Sequence, residues 1–321
     1  MAEGATVTIA TGYLGESSLY KGKGAGELTG SIDTLGTDAT LNLYGIRWEN
    51  TKGVDFISLW NGNIGTVNIL GDTITRPTMP TKAQTGDILI ADNINIGKNS
   101  VVHAYAQAMG KMTISDNAKV GTLVSGNISD PTNSSNKALA LGSILAVKEL
   151  DINLNSDGAV IVRQLKCGSL GGDNFKGTIK LADKSDTLLV TYIFQLPEAG
   201  EDGEASDAML TISKGTLYSM TKAAPRKNNG AGNLTVSGDA VATIAASEAS
   251  TFGTLNVETS DTVFVNGGAT ITELNITEAD AGTTALMLNG ASSKLPILAP
   301  HLKKAFERTF SRSNAFFEVK I

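Results

Sequence analysis

"GTLNVETSDTVFVNGGATITELNITE", residues 253–278, says nearly the same thing twice: Leu255-Asn256-Val257 and Leu274-Asn275-Ile276 are matching triplets set among polar residues. Side chains alternate across a strand, so each triplet turns two aliphatic residues to one face and an asparagine to the other. Working outward, the steps from Leu234 to Leu255 and from Leu255 to Leu274 are nearly equal. Earlier in the chain, aligning Val67, Ile88 and Met112 gives comparable steps, the second somewhat longer. A repeat near twenty residues that holds two or three short strands is what one coil of a parallel β-helix requires. Equivalent aliphatic positions then stack about 4.8 Å apart and fill a narrow column.

The rest of the chain follows this pattern. Apolar residues alternate with polar ones at Val7 and Ile9, Leu41 and Leu43, Ile94 and Ile96, Ile152 and Leu154, and Ile179 and Leu181, with helical spacing absent before residue 295. Glycine is abundant at 35 residues and aromatics are scarce at 5%, which suits a thin core of stacked Val, Ile, Leu and Ala. Coils must turn sharply, and "VNGGAT" (265–270), "LNGASS" (288–293), "VSGDAV" (236–241) and "GDNFKGT" (172–178) read as corners where Gly or Asn takes a left-handed backbone. The expected fold is all-β, a right-handed parallel β-helix with a short C-terminal amphipathic helix and a terminal strand. A β-sandwich would also show alternation, but not the near-twenty period.

Three segments follow. Residues 1–60 form an N-terminal β segment or cap, and 61–294 the solenoid, with loops inserted at 125–137, 197–207 and 222–232. The second loop carries Glu198, Glu201, Asp202, Glu204 and Asp207, and the third Lys222, Arg226 and Lys227, so solvated loops and charge-complementary contacts between copies are both open. Residues 295–321 make a helix-strand module for capping or docking. Leu298, Leu302, Phe306 and Phe310 lie four apart, the stripe of an amphipathic helix, and Phe316 and Phe317 begin a terminal strand, "FFEVKI", that would be added to a partner's sheet. From Lys294 onward six basic residues face two acidic ones, a net +4, which leaves −10 for the body out of a total of −6.

A net negative chain argues against a general grip on nucleic acid or an anionic membrane, and no apolar run is long enough for a membrane-spanning helix. The N-terminus has no basic segment followed by an apolar stretch, so the expectation is a protein that stays where it is made, or one whose signal has been removed. Catalytic, cofactor and metal motifs were not found: there is no phosphate loop, nucleophile elbow or zinc-ligand cluster, and "GKGAGELTG" (22–30) reads as a turn. Cys167, beside Leu165 and Leu170, reads as a small buried apolar residue, and His103 and His301 as structural. Trp48 and Trp60 either flank a ligand groove or plug the first coil. Asp151, Asp183 and Asp186 are isolated acids, whereas a glycosidase of this shape needs a carboxylate pair. Among the Asn-x-Ser/Thr triplets at Asn127, Asn133, Asn233 and Asn275, those in the repeating strands read as ladder chemistry rather than glycan acceptors.

Through "GTVNILGD", "GKMTISDNAKVGTLVSGN" and "GNLTVSGDAVATI", residues 60 to 293 resemble the parallel β-helix proteins of bacteriophage virions and bacterial adhesin passengers. That resemblance implies a non-enzymatic structural protein of a multimeric assembly, a capsid decoration, head-fibre or tail component of a virion assembled in the host cytoplasm. Its partners would be further copies of itself and other assembly subunits. The alternatives are a secreted or cell-surface adhesin that binds a glycan, and a polysaccharide lyase or hydrolase.

Overall fold

In the computed structural model the described residues are 4–14, 27–28, 38–50, 65–70, 74–77, 88–97, 100–102, 105–116, 118–120, 122–124, 133, 142–155, 159–168, 174–198, 207–225, 232–245, 250–267, 269–277, 284–289 and 317–320. Every regular element among them is a strand. In chain order these are β1 (Thr6–Leu14), β2 (Glu27–Leu28), β3 (Thr40–Asn50), β4 (Thr66–Leu70), β5 (Ile74–Pro77) and β6 (Ile88–Ala91). Next come β7 (Asn93–Ile96), β8 (Val101–Val102), β9 (Tyr105–Ala108), β10 (Lys111–Asp116), β11 (Lys119–Val120) and β12 (Thr122–Val124). They are followed by β13 (Gly142–Ala146), β14 (Glu149–Leu154), β15 (Ala159–Cys167), β16 (Lys176–Lys180), β17 (Thr187–Leu196) and β18 (Met209–Pro225). The last six are β19 (Gly232–Ala245), β20 (Thr251–Thr259), β21 (Val263–Asn266), β22 (Thr270–Ile276), β23 (Thr284–Asn289) and β24 (Phe317–Lys320).

Pairing is parallel almost throughout, which replaces the antiparallel sandwich alternative with a coiled chain. The first face is a ladder that runs through β1, β3, β4, β7, β10, β14, β16, β18, β19, β20 and β22. A second face runs through the ends of β1 and β3 to β5, β8 and β11, and resumes with β15, β17, β18, β19, β21 and β23. A third joins β6, β9 and β13 to the ends of β15, β17 and β18. Strand β18 serves all three, with Leu210 on the first, Leu217 on the second and Ala223 on the third.

The column expected from the alternation fills the middle. Leu41, Val67, Ile94, Met112, Leu150, Leu210, Leu234 and Leu255 occupy one inward position of the first face and are fully buried or nearly so. Leu43, Ile69, Ile96, Ile114, Ile152, Ile179, Ile212, Val236 and Val257 occupy the next. Each such side chain contributes roughly 1.5–3 kcal/mol by leaving water, so the ladder is the main source of cohesion. One rung substitutes: Gly177 stands between Leu150 and Leu210, and a Cβ there would lie 2.7 Å from the Phe175 ring. Phe175, itself fully buried, fills the place a side chain would have taken.

Several expectations change in detail. Leu234, Leu255 and Leu274 pair as anticipated, but Val67 pairs with Ile94, and Ile94 with Met112. The first of those steps is longer, and the second shorter, than the aligned spacing implies. Ile88 instead pairs with Tyr105 on the third face, because each coil holds three strands of similar composition and spacing alone confuses them. The ladder also runs through the 60/61 boundary, since β3 pairs directly with β4. The 222–232 segment is shorter than anticipated, as β18 reaches Pro225 and β19 begins at Gly232. Corners at Gly238 (φ 57°) and Gly267 (φ 112°) are as expected, in the left-handed region that favours glycine.

Both ends are staggered. On the second face β2 pairs with β1, and β24 pairs antiparallel with β23, through Phe317 with Leu288 and Val319 with Leu286. The terminal strand, expected to add to a partner's sheet, thus joins its own chain's sheet instead, where β23 offers it an edge. The first face has no described strand beyond β1 or β22, and Val7, an inward position in register with fully buried Leu41, is 38% exposed.

Candidate functional site

Outward positions of the first face divide the solenoid into chemically distinct stretches. Thr8, Asn42, Asn68, Asn95 and Thr113 stand in one column, and Thr6, Thr40, Thr66 and Asn93 in another, all uncharged. The amides are bonded from rung to rung: Asn42 Nδ2 donates to Thr8 Oγ1 (3.1 Å), Asn68 Nδ2 to Asn42 Oδ1 (2.7 Å) and Asn95 Nδ2 to Asn68 Oδ1 (2.7 Å). The same motif returns near the end, where Asn256 Nδ2 donates to Thr235 Oγ1 (2.8 Å) and Asn275 Nδ2 to Asn256 Oδ1 (3.0 Å). Each of these donations runs from the later rung to the earlier one. A side chain that bonds along the column loses rotamers but satisfies its amide, and it pins the register that a one-residue slip would destroy.

Charge takes over in the middle. Lys111, Glu149 and Lys176 are successive rungs of one column, and Lys111 Nζ bonds Glu149, which raises the lysine above its usual range. Asp151 Oδ1 accepts from Thr178 Oγ1 at 3.0 Å. At the next corner Asp183 Oδ1 accepts from both the Ser185 amide and its hydroxyl, each at 3.0 Å, and these bonds hold the carboxyl below its usual range. Asp186 Oδ2 accepts from the Asp183 amide at 2.8 Å. The three acids that the sequence left isolated are thus corner and ladder elements. Lys184, projecting from this corner, pairs with Asp261 several coils away, and the carboxylate raises the lysine.

Two sequence readings are met inside the column. Cys167 is fully buried, and burial pushes its thiol up, so it stays protonated. Asn233 is buried and bridges rungs, donating to the Ala208 carbonyl (2.8 Å) while its Oδ1 accepts from the Thr254 amide (2.9 Å). With Asn275 in the outer column, both strand-borne triplets serve the ladder.

Of the residues singled out for docking, Phe317 alone is among the described residues. Leu298, Leu302, Phe306, Phe310 and Phe316, and with them the expected C-terminal helix, are outside the described residues, as are Trp60, His103 and His301. Phe317 is placed in β24, and Trp48 in β3, in register between Leu14 and Thr75. Among the described residues no group of three or more His, Cys, Asp or Glu could hold a metal ion, and no helix is long and apolar enough to cross a membrane.

A feature that the sequence reading missed lies at the corner between the second and third faces. Tyr192 and Ile193, adjacent in β17, are 45% and 40% exposed. Arg163 places its guanidinium 4.7 Å from the centre of the Tyr192 ring. The signal was present in "TYIFQL", where consecutive large apolar residues break the period-two alternation.

Compared with protein-family models, curated proteins and solved structures, the chain matches none. Its function is therefore argued from its own chemistry.

Proposed function

We propose that the chain is a non-enzymatic structural component of a multimeric assembly, of the kind found in phage virions as a capsid decoration, head fibre or tail protein. The observation that carries this reading is the rung-to-rung bonding of Asn42, Asn68 and Asn95, and again of Asn256 and Asn275, which spends outward amides on stiffness. A column tied both by inward aliphatics and by outward amides resists bending and slippage, the property a spacer or fibre needs. The coil is taken as right-handed, the sense that parallel strand crossovers adopt in nearly all sheets. Residues 295–321, basic where the body is acidic, form the attachment module, with Leu298, Leu302, Phe306 and Phe310 as its apolar stripe.

The test is the solution mass of the chain with and without residues 295–321. A discrete oligomer that becomes monomeric on truncation supports attachment through the tail, and Phe306→Asp should reproduce the loss with the β-sheet circular dichroism intact. A truncated chain that forms larger species than the full one instead assigns the tail to capping its own solenoid.

A second reading, a surface protein that binds a glycan, is favoured by Tyr44, exposed on the outer first face in the same strand as Asn42. Binding of neutral glycans on an array, lost with Tyr44→Ala, would turn the assignment to that reading.

A further inference from the structure

The outer first face changes character along its length. From β1 to β7 its described outward positions are all uncharged, in a chain where 18% of residues carry charge. From β10 onward Lys111, Glu149, Asp151 and Lys176 stand on the same face. Within the uncharged stretch Thr6, Thr8 and Tyr44 are exposed, and Thr40, Asn42, Thr66 and Asn68 are half-buried.

Its three columns differ in kind. Thr6, Thr40 and Thr66 bring hydroxyls that bond no other described residue. In the middle column Asn42 and Asn68 each give one N–H and one oxygen lone pair to the ladder, and an amide has a second of each. In the third column Tyr44 and Leu70 are adjacent rungs, so an aromatic and an aliphatic side chain lie beside the amides.

Chemistry selects the occupant. Threonine hydroxyls and asparagine amides both donate and accept, as sugar hydroxyls do, whereas a lysine only donates and a carboxylate only accepts. A stretch that holds the first kind and leaves out the second suits an uncharged ligand rich in hydroxyls. The Tyr44 ring adds an apolar surface with a polar tip, against which the C–H face of a sugar packs. A protein partner would find here few of the aromatics and none of the arginines that interface centres favour, and a nucleic acid would find no cation. The polar groups recur rung by rung, about 4.8 Å apart, which is close to the length of one unit in an extended polysaccharide.

We propose that the outer first face of β1, β3, β4 and β7 binds an unbranched, uncharged polysaccharide laid along the solenoid axis, one sugar to each rung. This inference rests on the glycan reading that Tyr44 favours, and it deepens that reading by giving the ligand's class, direction and extent.

Titration calorimetry of the full chain with neutral gluco-, manno- and xylo-oligosaccharides, from disaccharide to hexasaccharide, tests it against oligogalacturonates as the anionic series. The expected result is an affinity that climbs with each sugar up to about four units, for the rungs at Thr8, Asn42, Asn68 and Asn95, and then levels off. Thr66→Lys sets a charge among the hydroxyls without touching an amide of the ladder. It and Tyr44→Ala should each weaken binding of the longest bound oligosaccharide at least about tenfold. Unchanged circular dichroism, with Cys167 still resisting a thiol reagent, verifies that the variants are folded. Binding that needs Tyr44 but ignores chain length and Thr66→Lys overturns the axial site while the glycan reading stands. Binding of no neutral series overturns both, and oligogalacturonates bound equally well overturn the claim of an uncharged ligand. Self-association of the full chain that both variants abolish would assign the face to a second copy and overturn the proposal.

Discussion

The last coils and the middle ones obey the same pairing rule, yet they differ in how much chain they use for each rung. The steps from Leu234 to Leu255 and from Leu255 to Leu274 are nearly equal, whereas the step from Met112 to Leu150 uses almost twice as much chain. The stacked residues are nonetheless equivalent: Met112 and Leu150 are as fully removed from water as Leu234 and Leu255. Rungs are set by inward aliphatics and by register, and the connections between them absorb any excess length at small entropic cost. The two regions also differ outside the core. Near the end the column of Thr235, Asn256 and Asn275 is neutral amide and hydroxyl, with acids only beside it at Glu258 and Glu273, while in the middle the outer columns carry both signs in Lys111, Glu149, Asp151 and Lys176.

The largest expected effect sharpens the claim that the irregular middle is as tightly packed as the ends. Phe175→Ala should destabilise by about 3–5 kcal/mol in urea unfolding, because Gly177 leaves the ring to fill that rung. Leu255→Ala in the regular end should cost about 2–5 kcal/mol, the loss expected of an ordinary aliphatic rung. A much smaller loss at Phe175 would show that the middle is loosely packed.

Next in size is Asn233→Ala, expected to cost about 1–3 kcal/mol by leaving the Ala208 carbonyl and the Thr254 amide without this partner. Asn256→Ala, in the half-exposed outer column, should cost about 0.5–1.5 kcal/mol, and a double variant with Asn275 should show coupling, since the two amides bond each other. If the outer amides cost as much as Asn233, the outer column would be as cohesive as the inner one.

Breaking the charged column of the middle should do least. Lys111→Ala is expected to change stability by less than about 1 kcal/mol, because both it and Glu149 are substantially exposed. The corner acid provides a pH test of the same region. Asp183 is held below its ordinary range by the Ser185 donors, so its contribution is complete above the unfolded-state value and is lost as pH falls through the lower folded-state value. Urea midpoints of the native chain and of Asp183→Asn should therefore differ at neutral pH and converge on acidification; a constant difference would mean that the carboxylate charge is not what the corner uses.

Much of this was legible in the residues. Alternation identified the strands, the Leu-Asn-aliphatic phrases identified the coil near the C-terminus, and Gly238 and Gly267 identified corners, because each rests on a local steric or periodic rule. Ile88 was misassigned because its surroundings resemble those of Val67 and Ile94, and nothing local says which of three faces a strand joins. The Tyr192–Ile193 corner carried a local signal, a broken alternation, but its partner Arg163 lies a full coil earlier in the chain and only the winding brings them together.

By itself, then, the sequence determined an all-β chain with a stacked aliphatic interior, outward asparagine chemistry and a basic end on an acidic body. Inward and outward are properties of a single strand, and every strand declares them through its own alternation. The tertiary structure decided which strands are neighbours, that β2 and β24 lie beyond the first-face edges, that Phe175 stands in for Gly177, and that an arginine covers a tyrosine in the next coil. Those facts depend on register summed over coils of unequal length, a quantity fixed by pairing along the whole column and not by any stretch of it.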